Sequence, residues 1–276
     1  MKTKAALTFL IMFALAISGG TQLLGQELRS IDNTAFQTGE KLTFRVYYQS
    51  LLTGKVTAGE AKLQIKNKLY SHNDRKAYHV LATGESKGAF NLFFKVNDRF
   101  ESFIDTEALI PWKFTRRTRE GGFKKDDEVN FRQSHGLAVS RRAIKRIPPN
   151  TQDIVSVFYY ARTLDITGME PNESFPLAFF LDDSLYVSKI VFLGREVIKT
   201  ELGSISCLKF KPMVIKGDVF SEPYPMVLWI SDDKNRLPIL VQSAVVVGSV
   251  KMELVDFEGL RNPMHALIKE KQNKQN

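Results

Sequence analysis

Residues 41–48 read KLTFRVYY. Leu42, Phe44, Val46 and Tyr48 fall on one side of an extended chain, and Thr43, Arg45 and Tyr47 on the other. A period of two marks a strand with one face buried. Residues 61–66 (AKLQIK) repeat the pattern, setting Ala61, Leu63 and Ile65 against Lys62, Gln64 and Lys66. Further strands are expected at 77–84, 92–104, 112–119, 128–132, 137–142, 174–180, 185–195, 205–215, 226–231, 237–247 and 249–256. The apolar run Pro238–Val250 is rich in β-branched residues and predicts a buried strand with a turn or bulge at Gly248. Turn formers separate the strands: His72-Asn73-Asp74, Glu120-Gly121-Gly122, Ser134-His135-Gly136, Asp182-Asp183-Ser184 and Asp232 to Asn235. Such a chain is mostly β: a curved antiparallel sheet, an open barrel or a two-sheet sandwich.

One covering helix interrupts this pattern. Pro148-Pro149 ends the preceding strand, and Asn150 or Thr151 can cap. Ile154, Val157, Phe158 and Ala161 then form one apolar stripe over about three turns, ending before Gly168. The helix divides the chain into two β-rich halves. No Gly/Ser/Pro linker separates them, so residues 27–260 are expected to form a single domain. Residues 261–276, ending KEKQNKQN, are expected to be a polar, flexible tail.

The N-terminus reads as an address. Lys2 and Lys4 precede the apolar run Ala5–Ile17, and the small residues Ser18, Gly19 and Gly20 follow. This is the pattern of a signal peptide, residues 1–20, with cleavage between 18 and 26. The run is shorter than the roughly 20 apolar residues a spanning helix needs. No Cys follows it to accept a lipid. The mature chain is expected to have no membrane span and to work in the periplasm or at the outer-envelope periphery. Cytosolic ATP, NAD and DNA chemistry lose ground accordingly.

Composition agrees with a folded chain. Of 276 residues, 43% are hydrophobic and 25% charged, which excludes a disordered or collagen-like chain. A single Cys, Cys207, excludes an intrachain disulfide and a Cys-based zinc cluster, and its strand context predicts a buried thiol. The net charge of +9 is unevenly placed. Between Lys113 and Arg146, eleven cations stand against four carboxylates, and seven of the eleven are Arg. A solvated hairpin whose charges discourage edge pairing accounts for this. So does an anion-binding surface, since Arg favours bidentate carboxylate or phosphate contacts. The candidate binding residues are Arg116, Arg117, Arg119, Arg132, Arg141 and Arg142. Nucleic acid is not expected: export argues against it, and no RNP or helix-turn-helix pattern is present.

Catalytic patterns are weak. His72, His79, His135 and His265 show no zinc-type spacing, and Asp182-Asp183 and Asp232-Asp233 do not match an EF-hand loop. There is no G-x-S-x-G elbow, and Ser156, three residues after Asp153, has no His nearby in sequence. Glu101 and Asp105 would share a strand face roughly 13 Å apart, wide for a pair of glycosidase carboxylates. Gly121-Gly122 precedes no helix, so it is no phosphate loop. No catalytic residue, metal site or cofactor is assigned.

Several short patterns occur in a fixed order. Phe36 precedes Gly39-Glu40-Lys41-Leu42, and Ala58-Gly59 follows. Then come Asp98-Arg99-Phe100-Glu101-Ser102-Phe103-Ile104-Asp105, and Leu109-Ile110-Pro111 before Phe114. The helix carries Asp153, Ser156, Tyr159, Tyr160 and Arg162, and Trp229-Ile230-Ser231-Asp232-Asp233 precedes Arg236 and Pro238. Together these resemble the exported bacterial domain-of-unknown-function family 3108, in a Bacteroidetes-like version, over nearly all of the mature chain. The resemblance implies an envelope-located β protein and supplies no catalytic residue. Phe90, Phe93, Phe94, Phe100 and Phe103 crowd one region, and Phe158, Tyr159, Tyr160, Phe175, Phe179 and Phe180 another. A curved sheet with an aromatic interior can hold an apolar cavity. The expected function is non-enzymatic: binding of an amphiphilic or anionic ligand, lipid or acidic glycan, through a curved sheet with an Arg-rich rim. The alternatives are a structural or assembly partner of an envelope protein complex, and an envelope hydrolase.

Overall fold

The alternation at 41–48 forms strand β1 (Lys41–Ser50), with Leu42 and Phe44 buried. A run of antiparallel neighbours leads away from it: β2 (Gly54–Ile65), β4 (Arg75–Ser86), β5 (Asn97–Asp105), β6 (Pro111–Glu120), β7 (Phe123–Arg132), β8 (Leu137–Ser140) and β9 (Ile144–Arg146), with β3 (Tyr70–His72) beside β4. A second run comprises β10 (Ser174–Leu181), β11 (Ser184–Thr200), β12 (Gly203–Pro212), β13 (Met226–Ser231), β14 (Pro238–Ala244) and β15 (Ser249–Glu258), with β16 (Leu267–Ile268) beside β12. The computed structural model describes residues 27–51, 54–72, 74–212, 226–244 and 248–268. The expected signal peptide and residues 269–276 of the expected tail lie outside the described residues.

The two runs join through β1 and β15, where Lys41 faces Glu258 and Gln49 faces Ser249. The β-rich halves on either side of the helix are therefore one continuous curved sheet, with sixteen strands and no closing pair among the described residues. Its inner face carries the core. Ile65, Val80, Ile104, Phe114 and Phe131 pack with Phe36 and Tyr159 in the first half. Leu42, Phe44, Ile205, Leu237, Ile239 and Leu254 form a second cluster around the junction.

Three local expectations differ from the structure. The helix spans only Ser156–Ala161, shorter than the apolar stripe predicts. Asp153 sets its start by accepting the Val155 and Ser156 N–H groups, each at 2.7 Å, so neither Asn150 nor Thr151 caps it. The strand expected at 92–104 begins only at Asn97, because Phe90–Phe93 form one helical turn outside the sheet. Part of the expected flexible tail is packed. Ala266 is buried, and Leu267 pairs with Ile205.

Candidate functional site

The inner faces of β1, β2, β4, β5, β13, β14 and β15 border a concave space that is partly open to solvent. They leave a cavity of about 500 Å³ lined by Phe44, Ala61, Leu63, Ala82, Phe100, Phe158, Leu228, Val241 and Met252. The register explains this lining: Phe44 faces Ala61, Ala61 faces Gly84, and Met252 faces both Val46 and Val241. The small residues Ala61 and Gly84 opposite one another leave room beside Phe44. Lys62, Thr83 and Asp98 supply polar groups to the lining.

A second, smaller cavity of about 80 Å³ shares Phe158 and Leu228 with the first. Its wall holds two cations, Arg162 and Arg236, among Ile166, Phe175, Ile190, Phe210 and Ile230. Arg162 is satisfied. Its Nη1 and Nη2 donate to the two Glu40 carboxylate oxygens at 2.6 and 2.8 Å, and its Nε donates to the Asn235 carbonyl at 3.0 Å. Arg236 differs: its Nη1 is buried and has no hydrogen-bond partner among the described residues. Its backbone takes a left-handed φ of 50°, uncommon for a bulky side chain. Burial pulls its guanidinium below the usual range, against the attraction of Asp232, Asp165 and Asp233.

The six candidate arginines do not gather at the cavity. Arg116 lies on the inner side of β6 and binds Asp127 and Asp182. Arg142 pairs with Asp127 and Asp183, each at 3.0 Å, and Arg119 with Asp126 at 2.8 Å. Asp182 and Asp183 form the β10–β11 turn and both have positive φ, the conformation of the tightest hairpin turn. The turn that sequence identified therefore docks its two carboxylates onto the basic inner side of β6–β8, and Lys125 adds a 2.6 Å bond to Asp182. Arg117, Arg132 and Arg141 are exposed, with no ion pair among the described residues. By alternation Arg117 and Arg132 belong to the outer face, opposite to Phe114 and Phe131.

The groups considered for catalysis are dispersed. Glu101 lies 2.6 Å from His79 Nε2 and accepts from Arg99 Nε at 2.8 Å. Burial pushes its carboxyl up, but those two partners hold it below its usual range. Asp105 is buried elsewhere. It accepts from Arg75, from Trp112 Nε1 at 3.2 Å, and from the Ala108 and Glu107 amides. Ser156 is buried and donates to the Asp153 carbonyl, while Ser102 donates to the Asp153 carboxylate at 2.6 Å. Burial pushes that carboxyl up to about 6 against the pull of these hydrogen bonds. His72 stacks on Trp112, and His135 closes a 3-10 turn beside Ser134. Among the described residues, no three His, Cys, Asp or Glu side chains are grouped to hold a metal.

The sequence places Glu40, Arg162 and Arg236 in the family pattern but does not show that Glu40 pairs with Arg162 or that Arg236 lines a cavity. Their signal lies in contacts between distant segments, since Glu40 and Arg162 are 122 residues apart.

A family model described as a protein of unknown function, DUF3108, matches residues 43–255, and the chain belongs to that family. No curated protein matches it. Among solved structures, a β-barrel-like protein of domain-of-unknown-function family DUF1849 from Brucella abortus superposes with a TM-score of 0.52 at 9% identity, over 84% of this chain and 99% of that one. It is similar in fold. A candidate lipoprotein from Parabacteroides distasonis gives 0.36 at 10% identity, over 84% and 100% of the two chains. A candidate exported protein with a YmcC-like fold from Bacteroides fragilis gives 0.32 at 12% identity, over 84% and 100%.

Proposed function

We propose that this DUF3108 protein is a non-enzymatic binding protein of the cell envelope that holds a single-chain amphiphile with an anionic head. The observation that carries this reading is the apolar cavity of about 500 Å³ inside the curved sheet. Ligand sites are commonly of about 300–1,000 Å³, largely apolar, with few polar groups fixing orientation. An acyl chain fits the Phe44, Leu63, Phe100 and Met252 walls by chemistry. The unpartnered Arg236 Nη1 lines the adjoining space and supplies the cation for the head. The signal-like residues 1–20 support the periplasm or outer-envelope periphery as its place.

The test is fluorescence titration with cis-parinaric acid, a carboxylate with a rigid polyene tail. The wild type is expected to bind. Leu228→Trp, which fills the wall shared by the two cavities, is expected to weaken binding roughly tenfold or more, and Arg236→Gln to weaken it by roughly tenfold. No binding by the wild type, or binding by both variants as tight as the wild type's, ends this reading.

The exposed Arg117, Arg132 and Arg141 favour a second reading, an acidic protein partner in an envelope assembly. Reversal of all three to Glu is expected to abolish co-purification of that partner and to leave parinaric acid binding intact. Unchanged co-purification counts against the outer face as a docking site.

A further inference from the structure

The β4–β5 connection and the β6–β7 turn meet at one end of the sheet and build an apolar tip. Leu92 and Phe93 are 83% and 88% exposed, and Phe94 and Phe123 stand exposed beside them. None of the residues of the Phe90–Phe93 turn is buried. Isolated exposed apolar residues are ordinary, whereas a contiguous group signals a contact surface. The tip is held in shape by specific bonds. Phe94 N–H donates to the Phe90 carbonyl at 2.9 Å, and Gly121 N–H donates to the Lys95 carbonyl at 2.8 Å. Ser86 Oγ donates to Asn91 Oδ1 at 2.5 Å and accepts the Val96 N–H at 2.9 Å. A Cβ on Gly121, whose φ is 54°, would lie 3.0 Å from the Phe94 ring, so this glycine permits the close approach of the two segments.

Two features say what covers this tip. Lys95 and Lys124, next in sequence to Phe94 and Phe123, are exposed and carry no ion pair among the described residues. Apolar side chains flanked by two unpaired lysines complement an anionic lipid surface, where rings bury at the headgroup level and ammonium groups meet phosphates. The tip also adjoins the cavity. Gly84 and Asp98 face each other in register and line it, and the same two strands reach the tip through Ser86 and Val96.

We infer that this tip docks the protein on an anionic lipid membrane, with Leu92 and Phe93 entering the interface and the cavity held close to the lipid. The surface is distinct from the cavity, so it stands or falls separately from the ligand reading.

The experiment is flotation of the protein, with the N-terminus it carries when released from the expressing cell, on phosphatidylcholine vesicles with and without phosphatidylglycerol. The wild type is expected to float with the phosphatidylglycerol vesicles, less with phosphatidylcholine alone, and less at high salt. Leu92→Ser with Phe93→Ser is expected to reduce flotation roughly tenfold or more on both. Lys95→Glu with Lys124→Glu is expected to remove the preference for phosphatidylglycerol. All four side chains are exposed, so thermal melts and parinaric acid binding should match the wild type in both variants. The inference is overturned if the wild type does not float, or if both variants float as it does. It is equally overturned if the Ser variant only loses a co-purifying protein, which would make the tip a protein interface.

Discussion

Glu40 and Arg162 are both almost wholly buried, and each is the other's counter-ion. Removing one charge of such a pair strands the other in a medium that cannot solvate it. Glu40→Gln is expected to lower unfolding free energy by about 3–5 kcal/mol in urea titrations, while Glu40→Leu with Arg162→Met should recover much of it. Asp153 carries the pH dependence. Its folded proton affinity, about 6, exceeds the ordinary 3.8, so the folded state binds the proton more tightly than the unfolded chain. The stabilisation from that proton is full below about 3.8 and is lost as pH rises through about 6. At neutral pH the buried carboxylate costs up to about 3 kcal/mol relative to the acid form. The stability of the wild type minus that of Asp153→Asn should therefore fall between pH about 4 and about 7; a flat difference contradicts the assignment. Burial pushes the Cys207 thiol up to about 12, so iodoacetamide should label it only after unfolding. A buried Cys207 was legible from its strand context. The helix was legible from its apolar stripe, but its cap was not: Asn150 and Thr151 were the expected residues, and the bonds to Val155 and Ser156 put Asp153 in that place.

At the scale of elements, the period-two stretches were the most readable. Met226–Ser231 has the expected bounds, because a short apolar run between turn formers has few other options. Short edge pieces such as β3 and β9 were missed, since three residues cannot display a period. The basic segment was visible as a composition, but its partners were not. Arg116, Lys125 and Arg142 meet a turn that lies 41 to 66 residues further along the chain. Seen with that turn, three of the eleven cations of the segment form an internal clasp between the two runs of strands. Asp182→Asn with Asp183→Asn keeps residues that tolerate positive φ and removes the charges. It is expected to cost about 1–2 kcal/mol in thermal melts, and less as salt is raised, because Asp182 is partly exposed.

For the whole molecule, the sequence indicated a curved antiparallel β protein but left the sheet order open. Local alternation says that a strand exists and which face is apolar, without naming its neighbours. The pairing of β1 with β15 joins segments about as far apart as the domain allows, with Lys41 opposite Glu258. The cavity follows from that pairing, since Phe44 and Met252 are brought together only by it. This seam also orders events during synthesis. From β1 to β9 each strand finds its partner among residues already made, so this half can zip up as it emerges. The free border of β1 must then wait for the last long strand of the chain. Until β15 arrives it offers a row of unsatisfied backbone groups to any passing polypeptide. A newborn molecule is thus most vulnerable along β1, and truncation before Ser249 should leave a sticky half-sheet in need of an escort.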